Sequence, residues 1–171
     1  MLRADKPYCE GENLAMKLQD ILSENLIKVP LSGREKRQVI EEMVDMLAAA
    51  RRIKSKDDVL RAILEREAVM STGVGDGVAI PHGKAEAAPE IVAALGIAHA
   101  PVEFDAIDEK PVNLVWLLVG PPNQTGPHLK ALSRISRLVH RPDFRLRLAT
   151  AVTAADAFGA ISREEDKYHD V

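Results

Sequence analysis

The sequence predicts an α/β fold in a single domain, with helices packed on a mixed β-sheet. The most apolar stretch is Val112–Val119 (VNLVWLLV), bounded by Pro111 and Gly120, which is typical of a central strand covered on both faces. A second apolar run, Ile91–Ala98, is closed by Pro101. Segments with apolar residues at helical spacing alternate with these runs. The 171 residues suffice for one full core but not for two ordinary domains.

Local signals predict the remaining elements of the first half. We expect a flexible extension over residues 1–13, a short helix from residue 14 to residue 22, and a strand over Leu26–Val29. Ser32 with Glu35 has the pattern of a capping box, which predicts a helix to about residue 51. The next helix is predicted to begin at residue 55 or 56 and to end near residue 70.

The second half is predicted in the same way. The loop after the most apolar strand leads into a helix with Thr125 or Gly126 as its cap, and Pro142 breaks this helix. A short helix over residues 144–148 follows. Thr153 caps a last helix that reaches Ile161. Residues 162–171 are expected to form a charged C-terminal tail that frays.

The composition excludes several classes of protein. Hydrophobic residues at 46% and charged residues at 29% are ordinary for a soluble globular protein, and a formal charge of -3 gives no reason to expect a nucleic acid partner. Cys9 is the only cysteine, so no internal disulfide can form. The N-terminus lacks the apolar core of a signal peptide, and no apolar run approaches the roughly 20 residues that span a bilayer. We therefore expect a cytoplasmic protein without direct membrane insertion.

The stretch from Arg66 to Lys84 (REAVMSTGVGDGVAIPHGK) joins a helix end, a glycine-rich loop, a short strand and a histidine. Its glycines allow positive φ angles and a close approach to a ligand or to another chain segment. Pro81 fixes the direction in which the chain leaves the strand, and His82 follows this corner. Gly83 leaves the imidazole open on one flank, as an accessible nucleophile requires. A lone histidine is more often structural, but the flanking glycines and a second histidine favour catalysis.

Two nucleotide-binding motifs are excluded in this stretch. A dinucleotide fingerprint would need a glycine at the position of Val78. A P-loop needs four residues between its glycines and a Ser or Thr after the lysine. Here five residues separate Gly77 from Gly83, and Ala85 follows the lysine.

A second candidate position is His128, in the first turn of the helix that follows the most apolar strand. Free N–H groups and the helix dipole at such an end attract anions and disfavour a protonated imidazole. From residue 111 to residue 142 there is no Asp or Glu, whereas basic residues accumulate: Lys130, Arg134, Arg137 and Arg141. Such a run is usually a solvated helix face; the alternative is a docking surface for an acidic or phosphorylated partner.

Taken in order, these motifs resemble a known family. The stretch STGVGDGVAIPHGK, preceded by Arg66 and Glu67, is followed by FDAIDEKPV and then by LLVGPPNQTGPHLKALSRISRLV. Together they are similar to the fructose- and mannitol-type enzyme IIA of the bacterial phosphotransferase system, particularly its nitrogen-regulatory branch. The resemblance extends from about residue 14 to residue 161. The sequence departs from it at Glu109, where many relatives have glycine, and in the charged C-terminus.

The resemblance implies a fold and a set of roles. The fold is a three-layer α/β/α sandwich with a mixed central β-sheet, formed as a single domain by residues 14–161. His82 is implied to be the phosphorylated histidine, His128 the second active-site histidine, and Arg66 the arginine beside them. A histidine-containing phosphocarrier protein is implied as the phosphoryl donor. A regulatory target protein or a membrane permease subunit is implied as the downstream partner.

The chemistry of these residues agrees with such roles. Phosphoryl transfer between histidines needs a neutral imidazole nitrogen in line with phosphorus, with cations or N–H groups around the equatorial oxygens. His82 would be the nucleophile, whereas His128 and Arg66 would hold the oxygens. No nucleotide, cofactor or metal is required. Arg66 alone could equally be a helix-end residue that binds carbonyl groups. A zinc site that includes His99 and His140 is not expected, since no pair has short ligand spacing, and both residues are interpreted as structural or surface residues.

Three functions remain open at this point. The first is a phosphoryl carrier with a regulatory output in the nitrogen-type system. The second is a sugar-specific enzyme IIA that passes the group to a separate membrane permease for fructose- or mannitol-like sugars. The third is a binding module that keeps the fold without phosphorylation. The absence of a fused domain weakly favours the first, and the joint presence of His82, His128 and Arg66 argues against the third.

Overall fold

The computed structural model describes residues 16–167 of the chain. The extension predicted for residues 1–13 and the last four residues of the predicted tail lie outside this range. Between residues 16 and 167, six strands form one mixed sheet: Ile27–Lys28 (β1), Gly73–Gly75 (β2), Val78–Ala79 (β3), His82–Lys84 (β4), Val92–Val102 (β5) and Val112–Gly120 (β6). Their order across the sheet is β1, β5, β6, β3, β2, and β4 also pairs with β6.

Strand β6 is the centre of the sheet, as its apolar sequence predicted. It pairs with β5 in antiparallel fashion on one side, and with β3 and β4 in parallel fashion on the other. Every residue of β6 except Asn113 is buried. Both faces of the strand are therefore covered, and the helices that pack on each side of the sheet provide this cover.

Strand β5 is longer than the sequence predicted. The predicted strand ended at residue 98 and was closed by Pro101, but β5 continues to Val102. Pro101 is exposed and lies where the register between β5 and β6 shifts. A proline is tolerated at such an irregularity because no regular ladder hydrogen bond is lost there.

Strands β3 and β4 follow one another along the same edge of β6, with an interruption between them. Val78 pairs with Leu114, and pairing with β6 resumes at His82, which lies beside Leu118. Pro81 lies in the interruption, and its carbonyl oxygen accepts a hydrogen bond from the N–H of Leu118 at 3.0 Å. The sequence predicted that the chain leaves the strand in a direction that Pro81 fixes; β3 does end before Pro81, at Ala79, but the chain then stays alongside β6 and presents His82 from within the sheet.

Within the described residues, six α-helices complete the three-layer sandwich: Leu18–Ile21 (α1), Lys36–Ala49 (α2), Lys56–Val69 (α3), Thr125–Val139 (α4), Pro142–Ala149 (α5) and Ala154–Asp166 (α6). Helices α2 and α3 pack against each other and cover β5 and β4, whereas α4 and α5 cover β6 from the other side with α1 and α6 beside them. The predicted α/β/α sandwich with a mixed sheet is confirmed. No helix within residues 16–167 is long and apolar enough to cross a bilayer.

The helix caps agree only in part with the sequence pattern. Ser55 caps α3 by accepting from the N–H of Asp58 at 3.3 Å, and Thr153 caps α6 in the same way. The predicted capping box at Ser32 is wrong, because α2 begins four residues later, at Lys36. The N–H of Ser32 instead donates to both carboxylate oxygens of Glu42, at 2.6 and 2.8 Å.

The predicted frayed tail is also wrong for the residues that the structure describes. Helix α6 continues past Ile161 to Asp166. Glu164 and Glu165 are buried in it, with 0% and 2% of their surface exposed. Basic side chains of other segments pair with them, Arg134 with Glu165 and Arg141 and Arg147 with Glu164, and Lys167 at the end of the same helix also pairs with Glu164. Arg134 of α4 and Arg141, which follows α4, therefore belong to these internal pairs, so these two residues are not simply part of a solvated face or a docking surface.

Candidate functional site

The glycine-rich segment forms a tight hairpin between β2 and β3. Gly75 and Gly77 have φ angles of 100° and 77°, as the sequence predicted, and Asp76 between them has a φ of 56°. Gly73 is required for another reason, since a Cβ atom there would lie 2.8 Å from Ala106. Of the two predicted uses of these glycines, close approach to another chain segment is therefore the one observed at Gly73.

His82 is half-buried at the start of β4, and its ring is held by the backbone two residues before it. Its Nδ1 atom lies 2.7 Å from the carbonyl oxygen of Ile80. A carbonyl oxygen can only accept, so Nδ1 carries the proton and Nε2 keeps its lone pair. Gly83 does not simply leave the ring open to solvent, because a Cβ there would lie 3.2 Å from the backbone of Ala62 and Ile63 on α3.

His128 lies next to His82 and is almost completely enclosed. Only 2% of its surface is exposed, and the two ring centroids are 6.1 Å apart with an interplanar angle of 55°. Neither of its ring nitrogens has a hydrogen-bond partner within the described part of the chain. His128 lies in the first turn of α4, as predicted, but the predicted caps are wrong: the N-cap is Gln124, and its side chain makes no capping bond.

The surroundings of both histidines favour the neutral imidazole. The pKa of His128 is lowered to about 4, mainly by burial and to a smaller extent by the nearby His82 and Lys84. Burial also lowers the pKa of His82, as do the charges of Arg66 and Lys84, against the opposing effects of the Ile80 carbonyl and Glu67. At neutral pH both rings are therefore uncharged, which is the state that a nucleophilic imidazole requires.

Arg66 lies in the last turn of α3, in the wall of the site. Its Nη1 atom donates to the carbonyl oxygen of Met70 at 2.9 Å. This is the helix-end contact that the sequence left open as one interpretation of Arg66. The guanidinium also lowers the pKa of His82, so its positive charge acts at the imidazole.

The sequence reasoning missed Lys84, two residues after His82. Its Nζ atom donates to the hydroxyl of Thr125 at 3.1 Å, which links β4 to the first turn of α4. Its charge lowers the pKa of both His82 and His128. The short spacing to His82 was visible, but a lysine in a strand gives no signal that it faces a helix start more than 40 residues away.

Two clefts meet at His82. One has a volume of about 360 Å³ and holds both histidines; its lining includes Arg66, His82, Lys84 and His128. The other is larger, about 620 Å³, and mostly apolar; it is lined by Arg66 and His82 with residues of the glycine segment, of the 104–110 loop and of α4. The three predicted site residues are thus brought together at one surface. His99 and His140 are exposed and do not line either cleft. Within residues 16–167, no group of three or more His, Cys, Asp or Glu side chains could hold a metal ion.

Comparison with known proteins agrees with this geometry. The chain is 35% identical over 152 residues to the fructose-specific EIIABC component of the phosphotransferase system of Bacillus subtilis, covering 89% of this chain and 24% of that protein. It is 33% identical over 139 residues to a nitrogen regulatory protein of Pseudomonas aeruginosa, covering 81% of this chain and 90% of that protein. The crystal structure of nitrogen regulatory protein IIA-Ntr from Neisseria meningitidis superimposes with a TM-score of 0.79 at 33% identity, covering 84% of this chain and 98% of that one.

The chain spans about a quarter of the length of the Bacillus relative and most of the length of the nitrogen regulatory relatives. Residues 20–164 match the family described as phosphoenolpyruvate-dependent sugar phosphotransferase system, EIIA 2. This match covers most of the chain and includes the segments that carry His82, His128 and Arg66. The chain therefore belongs to the EIIA type-2 family of the phosphoenolpyruvate-dependent sugar phosphotransferase system.

Proposed function

We propose that this protein is a phosphoryl carrier that accepts a phosphoryl group on Nε2 of His82 from a histidine-containing phosphocarrier protein. The observation that carries the proposal is the hydrogen bond of 2.7 Å between Nδ1 of His82 and the Ile80 carbonyl. It keeps the proton on one ring nitrogen and leaves the other with a lone pair at the wall of both clefts. No step of this transfer requires a cofactor or a metal ion.

The transfer itself is a direct exchange between two imidazoles. The lone pair on Nε2 of His82 forms a bond to phosphorus while the phosphorus–nitrogen bond of the donor breaks, and the electron pair of that bond remains on the donor nitrogen. The proton on Nδ1 of His82 stays in place. The positive charge that develops on the ring strengthens its hydrogen bond to the Ile80 carbonyl.

His128 and Arg66 are proposed to stabilise the phosphoryl oxygens. His128 has two ring nitrogens without a hydrogen-bond partner among the described residues, and its ring centroid is 6.1 Å from that of His82. A neutral imidazole in that position can donate one N–H to an equatorial oxygen. Arg66 uses Nη1 for the Met70 carbonyl, which leaves other N–H groups of its planar guanidinium for the anion.

We further propose that the carrier has a regulatory role in the nitrogen-type phosphotransferase system. The similarity to nitrogen regulatory proteins supports this role, at 33% identity to the Pseudomonas protein and with a TM-score of 0.79 for the Neisseria structure. Phosphorylation adds about two negative charges to the surface at His82, which changes the partners that this surface can bind. The alternative is transfer to a membrane permease for a fructose-like sugar, which the 35% identity to the fructose component supports.

Phosphorylation with labelled phosphoenolpyruvate and the general phosphotransferase components tests the carrier function. We expect one acid-labile phosphoryl group per chain in the wild type and in His99→Ala, since His99 is exposed on β5 outside both clefts. We expect none in His82→Ala. A wild-type protein that remains unlabelled would favour a binding module of the same fold.

The choice between regulation and sugar uptake needs a second measurement. The labelled protein is mixed with membranes that contain a fructose permease without its own IIA domain, and with fructose. Retention of the label supports the regulatory proposal. Rapid formation of labelled sugar phosphate would replace it with the uptake alternative.

A further inference from the structure

The proposed chemistry does not use Glu67, although this buried carboxylate lies next to Arg66 on α3. Only 7% of its surface is exposed. Carboxylates are almost never buried unless they are paired and hydrogen-bonded, so the contacts of Glu67 indicate what it holds in place. Consecutive helix residues point in different directions, and Arg66 therefore faces the clefts while Glu67 faces the interior behind them.

Three donors satisfy the Glu67 carboxylate. Oε1 accepts from the N–H of Thr72 at 3.0 Å, and Oε2 accepts from the hydroxyl of the same residue at 2.5 Å. The ammonium of Lys36 on α2 lies 2.9 Å from Oε1. Thr72 is thus held at both its backbone and its side chain, just before the glycine segment begins.

Two further hydrogen bonds continue from Thr72 to the reactive ring. The carbonyl oxygen of Thr72 accepts from the N–H of Ile80 at 3.0 Å. The carbonyl oxygen of Ile80 lies 2.7 Å from Nδ1 of His82. The Ile80 peptide is therefore fixed by Thr72 on its N–H side, and it determines the position of the imidazole on its carbonyl side.

Lys36 connects the same carboxylate to the loop that lines the larger cleft. Its ammonium lies 3.4 Å from a carboxylate oxygen of Asp105 and 5.3 Å from the centroid of the Phe104 ring. The hydroxyl of Ser71 donates to the carbonyl oxygen of Phe104 at 2.6 Å. The 104–110 loop is thereby linked to Ser71, which precedes Thr72, and through Lys36 to the Glu67 carboxylate.

We propose that Glu67 is a positioning residue for His82: its carboxylate holds Thr72, and through Thr72 the Ile80 carbonyl that keeps the His82 proton on Nδ1 and leaves Nε2 free. The effect of this role on phosphoryl transfer rests on the function proposed above. The role in positioning the ring does not, because ring tautomer and orientation can be measured without any phosphoryl donor.

A purely structural role is the competing explanation, since a buried ion pair between α2 and α3 affects folding in any case. The two explanations differ at the imidazole. If Glu67 positions His82, a substitution that removes its contacts with Thr72 changes the tautomer of the ring in the folded protein. If Glu67 only supports folding, the ring of every folded variant stays as it is in the wild type.

The test compares Glu67→Gln with Glu67→Ala. A glutamine keeps an acceptor for the Thr72 N–H and offers an N–H₂ group to the Thr72 hydroxyl, but it removes the charge. An alanine removes every contact. Glu65→Ala is the matched control, because Glu65 is exposed on the same helix. For each folded variant, ¹⁵N NMR of the ring nitrogens gives the tautomer and the titration of His82, and rapid quenching gives the rate of phosphorylation.

We expect Glu67→Ala to populate both neutral tautomers of His82 and to be phosphorylated about ten- to a hundredfold more slowly, the range typical of a displaced reacting group. Glu67→Gln keeps the Nδ1–H tautomer and a rate within about threefold of the wild type. The pKa of its His82 is lower than in the wild type, because the carboxylate no longer offsets the charges of Arg66 and Lys84. Glu65→Ala matches the wild type in all three measurements.

A folded Glu67→Ala variant with the native tautomer and the native rate would overturn the proposal. If that variant does not fold, Thr72→Val decides, because it keeps the shape of the side chain and removes the hydroxyl contact of 2.5 Å. A mixed tautomer in Thr72→Val supports the proposal, and an unchanged tautomer contradicts it. If the wild type accepts no phosphoryl group, the function proposed above is wrong, and the tautomer measurements still decide whether Glu67 positions the ring.

Discussion

Protonation of His128 should cost the folded protein a measurable part of its stability. The pKa of this buried ring is about 4 in the folded protein, against an ordinary value of 6.5. Because the folded pKa is the lower one, the unfolded chain binds the proton first as the pH falls, and stability is lost between pH 6.5 and pH 4. At about 1.4 kcal/mol per pH unit the full loss is about 3 kcal/mol, of which about 2 kcal/mol is present at pH 5.

Urea unfolding of the wild type and of His128→Gln at pH 7.5 and pH 5 measures this loss. The glutamine does not titrate, and the other titrating groups contribute to both proteins, so the difference in unfolding free energy isolates His128. We expect the wild type to lose about 2 kcal/mol relative to the variant over this interval. His140→Gln is the control, because His140 is exposed at the end of α4. If the difference between wild type and His128→Gln is the same at both pH values, His128 is not held in its neutral form by burial.

Four further substitutions test other parts of the structure. His128→Ala should slow phosphorylation of His82 by about a hundredfold or more, as loss of one charge-stabilising donor does, and a normal rate in a quench-flow measurement would remove the proposed role. Lys84→Met should raise the pKa of both histidines, which NMR titration can follow; unchanged titrations would show that its charge does not reach the rings. Glu109→Gly should raise the free energy of unfolding by about 0.5–1 kcal/mol, because Glu109 has a φ of 60°. Glycine relieves about 1–2 kcal/mol of backbone strain at this φ, which exceeds the cost of the greater backbone entropy that glycine gives the unfolded chain. A lower melting temperature of the variant would contradict this. Glu165→Ala should lower the free energy of unfolding by about 3 kcal/mol in urea, since it leaves the partly buried Arg134 and the backbone N–H groups of Leu18 and Gln19 without their acceptor. As a control, Glu90→Ala should have little effect, because Glu90 is exposed.

The elements that could be predicted from the sequence are those with a local cause. The apolar run of β6 requires burial on both faces wherever it lies, and its bounds were predicted to within one residue. The φ angles of Gly75 and Gly77 follow from the turn that they form. The preference for glycine at the position of Glu109 has the same local cause, because the turn needs a positive φ there, which glycine adopts more easily than glutamate.

The features that the sequence did not reveal depend on contacts between distant segments. Glu164 and Glu165 have the pattern of a solvated tail, and only the arginines of α4 and α5 show why they are buried. Ser32 has the sequence pattern of a helix cap, but its N–H donates to the carboxylate of Glu42, ten residues later, instead of taking part in a capping box. Glu67 was visible beside Arg66 in the motif, yet its role depends on where Thr72 and Lys36 meet it in three dimensions.

The distance between the two histidines is determined by strand β6. His82 pairs beside Leu118, and the chain enters the loop before α4 directly after Gly120, so both rings are placed relative to the same three residues. The carbonyl oxygen of Gly120 accepts from the N–H of Ala85 at 3.0 Å, which holds the end of β4 in this register. A Cβ atom at Gly120 would lie 2.8 Å from the Ile91 side chain, so glycine is what lets Ile91 pack against this end of the strand; the same atom would make only an ordinary contact, 3.5 Å, with Nδ1 of His128. Because a slip of one residue would turn every side chain of β4 to the opposite face, the hydrogen-bonded register of this edge determines whether His82 can face His128 at all.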